Sequence, residues 1–211
     1  MKWKIPYIDF GRQYKKQEKL HLANFKKIML SGDFVLRDEV IKFEKKISSL
    51  IGSNYVVSVN SCTDALLLAL AAKGFKKNSE IITVGHSYVA TLAAIKHVGL
   101  NPVLADISDD YNINVNQIEK LITKNTKAIL PVHLYGHSCD MSSIMKIANK
   151  YNLSVIEDCA QSFGAKFKGK YVGTFGEVGC FSLHPLKSLG AAGDGGFIVT
   201  KNKTLYEKFL R

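Results

Sequence analysis

No two of the four cysteines, Cys62, Cys139, Cys159 and Cys180, have CxxC spacing or stand close together. That argues against a zinc site or a disulfide framework and leaves four reduced, small, mostly buried residues. No uninterrupted apolar run is long enough to cross a bilayer, and the opening MKWKIPYIDFGRQYKK has no apolar leader core. The expectation is a cytoplasmic protein with no membrane partner. No Pro/Gly/Ser-rich or low-complexity stretch marks a linker, and no internal repeat of fixed period occurs. Acidic residues are scarce, 18 against 29 lysines and arginines, for a formal net charge of +11. The lysines are scattered through 15–46, 73–77, 120–127 and 166–170 without a dense tract or a nucleic-acid-binding motif. A generally basic surface, able to attract an anionic nucleotide diphosphate, is expected rather than a nucleic-acid partner.

What is present is a globular composition, 46% hydrophobic and 22% charged over 211 residues, enough for one large domain with a substantial core. Short apolar runs at 55–59, 81–84, 102–105, 128–132, 153–156, 179–183 and 196–200 predict strands. Helical patterns lie between several of them, at 64–73, 89–98, 115–122 and 141–151. An earlier amphipathic helix is predicted over 37–51, with Val40, Phe43, Ile47 and Leu50 on one face. This β-α-β alternation, joined by right-handed crossovers, predicts an α/β three-layer αβα fold with a mainly parallel seven-stranded sheet. Residues 1–36 read as an arm and helix, and 37–211 as the large domain.

Asp158 closely follows the apolar run 153–156, which places it at the carboxyl end of a buried parallel strand, where open α/β sheets gather ligand-binding groups. Lys187 follows the run 179–183 and precedes a glycine-rich stretch. If the two strand ends adjoin, a carboxylate and an amine converge on one crevice. Pyridoxal phosphate (PLP) uses such a pair, a lysine to hold it covalently and an acid to keep its ring nitrogen protonated. The alternative is two solvated charges in loops. Ser61, Cys62, Thr63 and Asp64 sit where the first strand meets its helix. Their free N–H groups and hydroxyls suit a phosphate, although Ser61 or Thr63 as an ordinary helix cap explains them equally. His133 and His137 are four apart, but the segment reads as a strand end and loop, so no metal is expected. Gly190, Gly193, Gly195 and Gly196 are read as allowing tight turns and close backbone approach.

The order VNSCTDALLLAL, GHSYVATLAAI, PVHLYGHSCDM, VIEDCAQSFGA and GCFSLHPLKSLGAAGDGGFIVT closely resembles the DegT/DnrJ/EryC1/StrS family of nucleotide-sugar aminotransferases. IPYIDFGRQY and FEKKISSLIGSNYVVSVNS match as well, so the resemblance covers nearly the whole chain. It implies the large domain of the PLP-dependent transferase type I fold. Lys187 would then hold PLP and shuttle a proton between substrate and cofactor carbons. Asp158 would pair with the ring nitrogen, and Gln161 would approach the ring hydroxyl. Ser182, Cys62 and Thr63 would bind the phosphate, and Tyr88 would stack on the ring. The implied reaction is transfer of an amino group, with L-glutamate as the donor the resemblance suggests, to a keto group of a nucleotide-linked deoxysugar, for polysaccharide or glycan synthesis, in a homodimer. Lysine at 187 argues against the related sugar dehydratases, which carry histidine there.

Two departures from the family pattern stand out. Cys62 replaces a usual glycine, and the chain stops at Arg211, where family members continue into a small domain. The second departure keeps another reading open, a truncated, non-catalytic remnant or interaction module that retains the fold and PLP binding.

Overall fold

The computed structural model describes residues 4–211, which divide into two compact units at residues 42 and 43. In the first unit, α1 (Phe10–Lys15) is capped by Asp9, whose carboxylate accepts the Arg12 N–H at 2.9 Å. Helix α2 (Glu18–Ser31) ends at Gly32, a glycine with φ of 70°, and buries no residue. The exposed Glu39 carboxylate binds both Lys27 and Lys42, at 3.0 and 3.1 Å. Solvent-exposed pairs of this kind contribute about 0–1 kcal/mol.

Helix α3 (Asp38–Ile51) leads into the second unit. There follow β1 (Tyr55–Val59), α4 (Cys62–Lys73), β2 (Glu80–Val84), α5 (Val89–His97), β3 (Asn101–Ala105), α6 (Val115–Leu121) and β4 (Thr126–Ile129). The chain continues through α7 (Met141–Tyr151), β5 (Ser154–Asp158), a small hairpin of β6 (Lys166–Phe167) and β7 (Lys170–Tyr171), β8 (Val178–Ser182), β9 (Gly196–Thr200) and α8 (Lys203–Phe209). The seven-stranded sheet has the order β1-β9-β8-β5-β4-β2-β3, and β9 alone runs against its neighbours. The fold is therefore the expected α/β architecture with a mostly parallel sheet.

Alternation along the strands feeds two apolar clusters. On β9, Phe197 and Val199 join Phe181, Ile47 and Ile51 in one cluster, while Ile198 joins Cys180, Leu66 and Leu70 in the other. Phe181 and Phe197 stack at 4.6 Å between centroids, and Phe43 meets Phe197 edge-on. Each such fully buried side chain is worth about 1.5–3 kcal/mol. The inward face of α3 differs from expectation. Leu50 is 51% exposed, and Ile51 takes its place in the core because the stripe runs Phe43, Ile47, Ile51 at four-residue steps.

The last expected residues of β4 also leave the ladder. Pairing stops at Ile129, and Pro131, which has no N–H to give, only accepts from Asp158 N at 2.9 Å. Beyond it, Val132 makes a single bridge to Asp158. Helix α8 and the β6–β7 hairpin are additions to the predicted elements. The hairpin strands are two residues each, too short for any periodicity to register.

Candidate active site

The reversal of β9 brings its first residue to the edge where the parallel strands end. Gly196 pairs with Val59 of β1 and Ser182 of β8, and Asp158, the last residue of β5, pairs with Cys180. Helix α4 starts three residues after β1 at the same edge. A cavity of about 540 Å³ opens among these ends. Its wall brings together all seven residues singled out from the sequence: Cys62, Thr63, Tyr88, Asp158, Gln161, Ser182 and Lys187.

Asp158 is the buried acid of the cavity wall. One carboxylate oxygen accepts the Ala160 N–H at 3.1 Å and the other accepts the Thr91 hydroxyl at 2.8 Å. Because that proton is given to Asp158, the Thr91 oxygen accepts from Ser87, 2.7 Å away. The Cys62 thiol lies 3.9 Å from the first carboxylate oxygen. Burial raises the Asp158 carboxyl above its usual range, against the Ala160 N–H and the Thr91 hydroxyl, which hold it down. A desolvated carboxylate facing a cavity is relieved by a cationic N–H. Burial likewise pushes the Cys62, Cys159 and Cys180 thiols well up, so these are unreactive groups and not nucleophiles. All four cysteines are free and buried, as expected.

At the start of α4 the Ser61 hydroxyl accepts the Asp64 N–H at 3.1 Å, so Ser61 is the cap. Thr63 is exposed to the cavity at the first turn, whose N–H groups carry the positive end of the helix dipole. Ser182 is buried beside it, and its hydroxyl also accepts the His184 N–H at 3.2 Å. The glycines divide by role. A Cβ on Gly196 would stand within 2.8 Å of three backbone atoms of Ser61 and Cys62, and one on Gly190 would meet the Pro185 carbonyl at 2.7 Å. Nothing lies near Gly193, and none of the four glycines has positive φ, so close approach rather than turn geometry explains Gly190 and Gly196. Gly196→Ala is expected to lower stability by about 1–3 kcal/mol through overpacking. An unaltered urea midpoint would contradict this.

Glu157, absent from the sequence reading, is fully buried and faces away from the cavity residue beside it. Its carboxylate accepts the N–H groups of Gly173, Phe175 and Gly176 at 2.7–2.8 Å. It also lies 3.0 Å from His133 Nε2. The Cys139 N–H points at His133 Nδ1 at 3.1 Å, and a second ring proton there would set two N–H groups head-on. The geometry therefore holds the ring neutral with its proton on Nε2, donated to Glu157. His133, Glu157 and Cys159 lie close enough to hold a metal, but Glu157 and His133 are already engaged in hydrogen bonds. His137 is remote from this cluster, exposed beside Asp110 at 3.6 Å.

Thr91 and Ser87 are the other site residues missed. Their only signal was an eight-residue segment, GHSYVATL, in which two hydroxyls recur at the four-residue step of a helix turn.

The donor set suits PLP: a helix start and two hydroxyls for a phosphate, a desolvated carboxylate for a ring cation, and an amine at Lys187. An open, mostly parallel sheet with these groups at its carboxyl edge defines the large domain of a type I PLP-dependent aminotransferase. The chain belongs to the DegT/DnrJ/EryC1/StrS aminotransferase family, whose sequence model matches residues 15–211. It is 42% identical over 205 residues to a UDP-N-acetyl-3-dehydro-alpha-D-glucosamine 3-aminotransferase of Acidithiobacillus ferrooxidans, covering 97% of this chain and 56% of that protein. Among solved structures it is similar to S. venezuelae DesV in complex with a ketimine intermediate, with a TM-score of 0.93 and 35% identity over 97% of this chain and 55% of that one. It is also similar to NtdA from Bacillus subtilis with bound cofactor PMP, with a TM-score of 0.91 and 34% identity over 99% and 47% of the two chains. The chain thus spans about half the length of the relatives it matches. Among the described residues, no helix is long and apolar enough to cross a membrane.

Proposed function

We propose that this chain supplies the cofactor site of an aminotransferase that moves an amino group from L-glutamate to a keto carbon of a nucleotide-linked deoxysugar, working as a homodimer. The observation that carries the reading is the convergence of Lys187, Asp158 and the start of α4 on one cavity. PLP, when bound, supplies an electron sink for the carbon that carries the amino group. The first turn of α4, Thr63 and Ser182 would hold its phosphate, and Tyr88 and Gln161 would orient its ring. Asp158 would face the ring nitrogen with its carboxylate, whose direction the Thr91 and Ala160 donors fix. Lys187 Nζ removes and returns the proton at the reacting carbon, which needs no second acid, so His184 is left to shape the cavity edge.

The test is to add PLP and then borohydride. The cofactor is expected to become covalently fixed in the wild-type chain and to remain removable in Lys187→Ala. Fixation independent of Lys187 would sink the assignment. Fixation at Lys187 without glutamate-dependent turnover would favour a module that keeps the fold and the cofactor but does not catalyse alone, a reading that coverage of only about half of each relative motivates.

A further inference from the structure

We propose that an exposed ledge formed by His86, Tyr111 and Tyr135 stacks the base of the nucleotide-linked substrate. This rests on the nucleotide-sugar reading above and assigns residues to it. The His86 ring lies 5.9 Å from the Tyr111 ring and 6.2 Å from the Tyr135 ring, the second pair edge to face. Neither tyrosine is used by the core, for they are 56% and 72% exposed. Both have left-handed backbone, φ 65° at Tyr111 and 52° at Tyr135, a conformation that bulky residues rarely adopt and that concentrates at functional positions.

The ledge is built firmly despite its exposure. Asn112, itself buried, accepts the Leu134 N–H at 3.1 Å and gives its own N–H to Asp110 at 3.1 Å, tying the loop after β3 to the loop after β4. The Tyr111 N–H closes a turn onto Ser108 at 2.9 Å. Rings held outward by such ties lose little freedom when a flat ligand arrives.

Position and charge select the occupant. The Tyr135 N–H donates to the Gln161 side chain at 3.3 Å, and Gln161 lines the cavity; His86 directly precedes Ser87 and Tyr88, which line it too. The ledge therefore adjoins the cavity mouth. In a nucleotide sugar, the base lies beyond the diphosphate from the reacting sugar and must rest outside a cavity that holds the sugar. No lysine or arginine occurs in 106–112 or 133–138, and Asp110 is close to His137, so the ledge suits a neutral heteroaromatic ring rather than a phosphate. Stacking on aromatic faces tolerates any base.

UDP, dTDP and GDP, each against inorganic pyrophosphate, are titrated by calorimetry into the PLP-loaded chain and into His86→Ala, Tyr111→Asn and Tyr135→Asn. Asparagine accepts left-handed backbone better than tyrosine, so these variants remove a ring without straining the turn, and their melting temperatures should not fall. The expected result is nucleotide binding weakened about tenfold in each variant, with pyrophosphate binding unchanged. Nucleotide affinities equal to wild type would overturn the ledge while leaving the aminotransferase reading intact. Failure of the wild type to bind any nucleotide, with PLP still fixed on Lys187, would overturn the ledge and not the cofactor site. Failure of both nucleotide binding and fixation would remove the reading beneath it.

Discussion

Glu157→Gln is expected to lower the unfolding free energy by about 2–5 kcal/mol, because it leaves buried N–H donors unsatisfied at about 1–3 kcal/mol each. In a chain of this size that corresponds to a melting temperature lower by about 10 °C. The cause is a mismatch of donors. One oxygen of Glu157 accepts Phe175 and Gly176, and the other accepts Gly173 and His133. An amide must turn its NH2 toward one of those pairs, leaving N–H facing N–H at a residue that is fully buried. The loop cannot back away cheaply, because Gly173 and Gly176 pack against Phe181 and the Val155 backbone so closely that neither has room for a Cβ. Chemical denaturation of the two proteins decides it. A difference below about 1 kcal/mol would mean that the network is not the anchor described.

Asp158→Asn, one residue further along β5, should do the opposite. Its stability should equal or exceed that of the wild type at neutral pH. The sign follows from burial, which raises the folded-state carboxyl above its unfolded value. Such a group contributes stability that is complete at low pH and is lost as the pH rises through the folded pKa. An amide avoids that loss, keeps an acceptor for the Ala160 N–H and gives its NH2 to the Thr91 oxygen. Function should fail instead. On the proposed reading, in which Asp158 faces the ring nitrogen, conversion of bound PLP by L-glutamate should slow about 10²–10³-fold, the effect of removing one preorganised electrostatic partner. Stopped-flow absorbance of that half-reaction is the measurement, and a rate within tenfold of wild type would remove Asp158 from the role.

Two adjacent acids thus have opposite expected effects, and only one of them was legible in the sequence. Asp158 could be read because an apolar run ending in an acid marks a strand entering a site. Glu157 could not, because its partners come from residues 173–176, whose approach depends on packing that no local pattern encodes. Thr91 is hidden in the same way: it points at Asp158 across 67 positions of sequence. The sheet itself was largely predictable, since each strand is a short apolar run between helical patterns. The errors came where a rule had two neighbouring solutions, as with Leu50 and Ile51, or where Pro131 ended the pairing early.

The reversal of β9 has a further consequence for how the site can vary. Residues 183–195 leave the sheet at Ser182 and re-enter at its direct partner Gly196, and Leu183 N–H is bonded to the Gly195 carbonyl at 2.8 Å. The segment bearing Lys187 is therefore an excursion that begins and ends at one rung of the ladder. Lengthening or shortening it at Gly193, where no atom crowds the backbone, alters the reach of the cavity rim without moving any strand. Diversity in what the site accepts can accumulate there at small cost to the rest of the molecule.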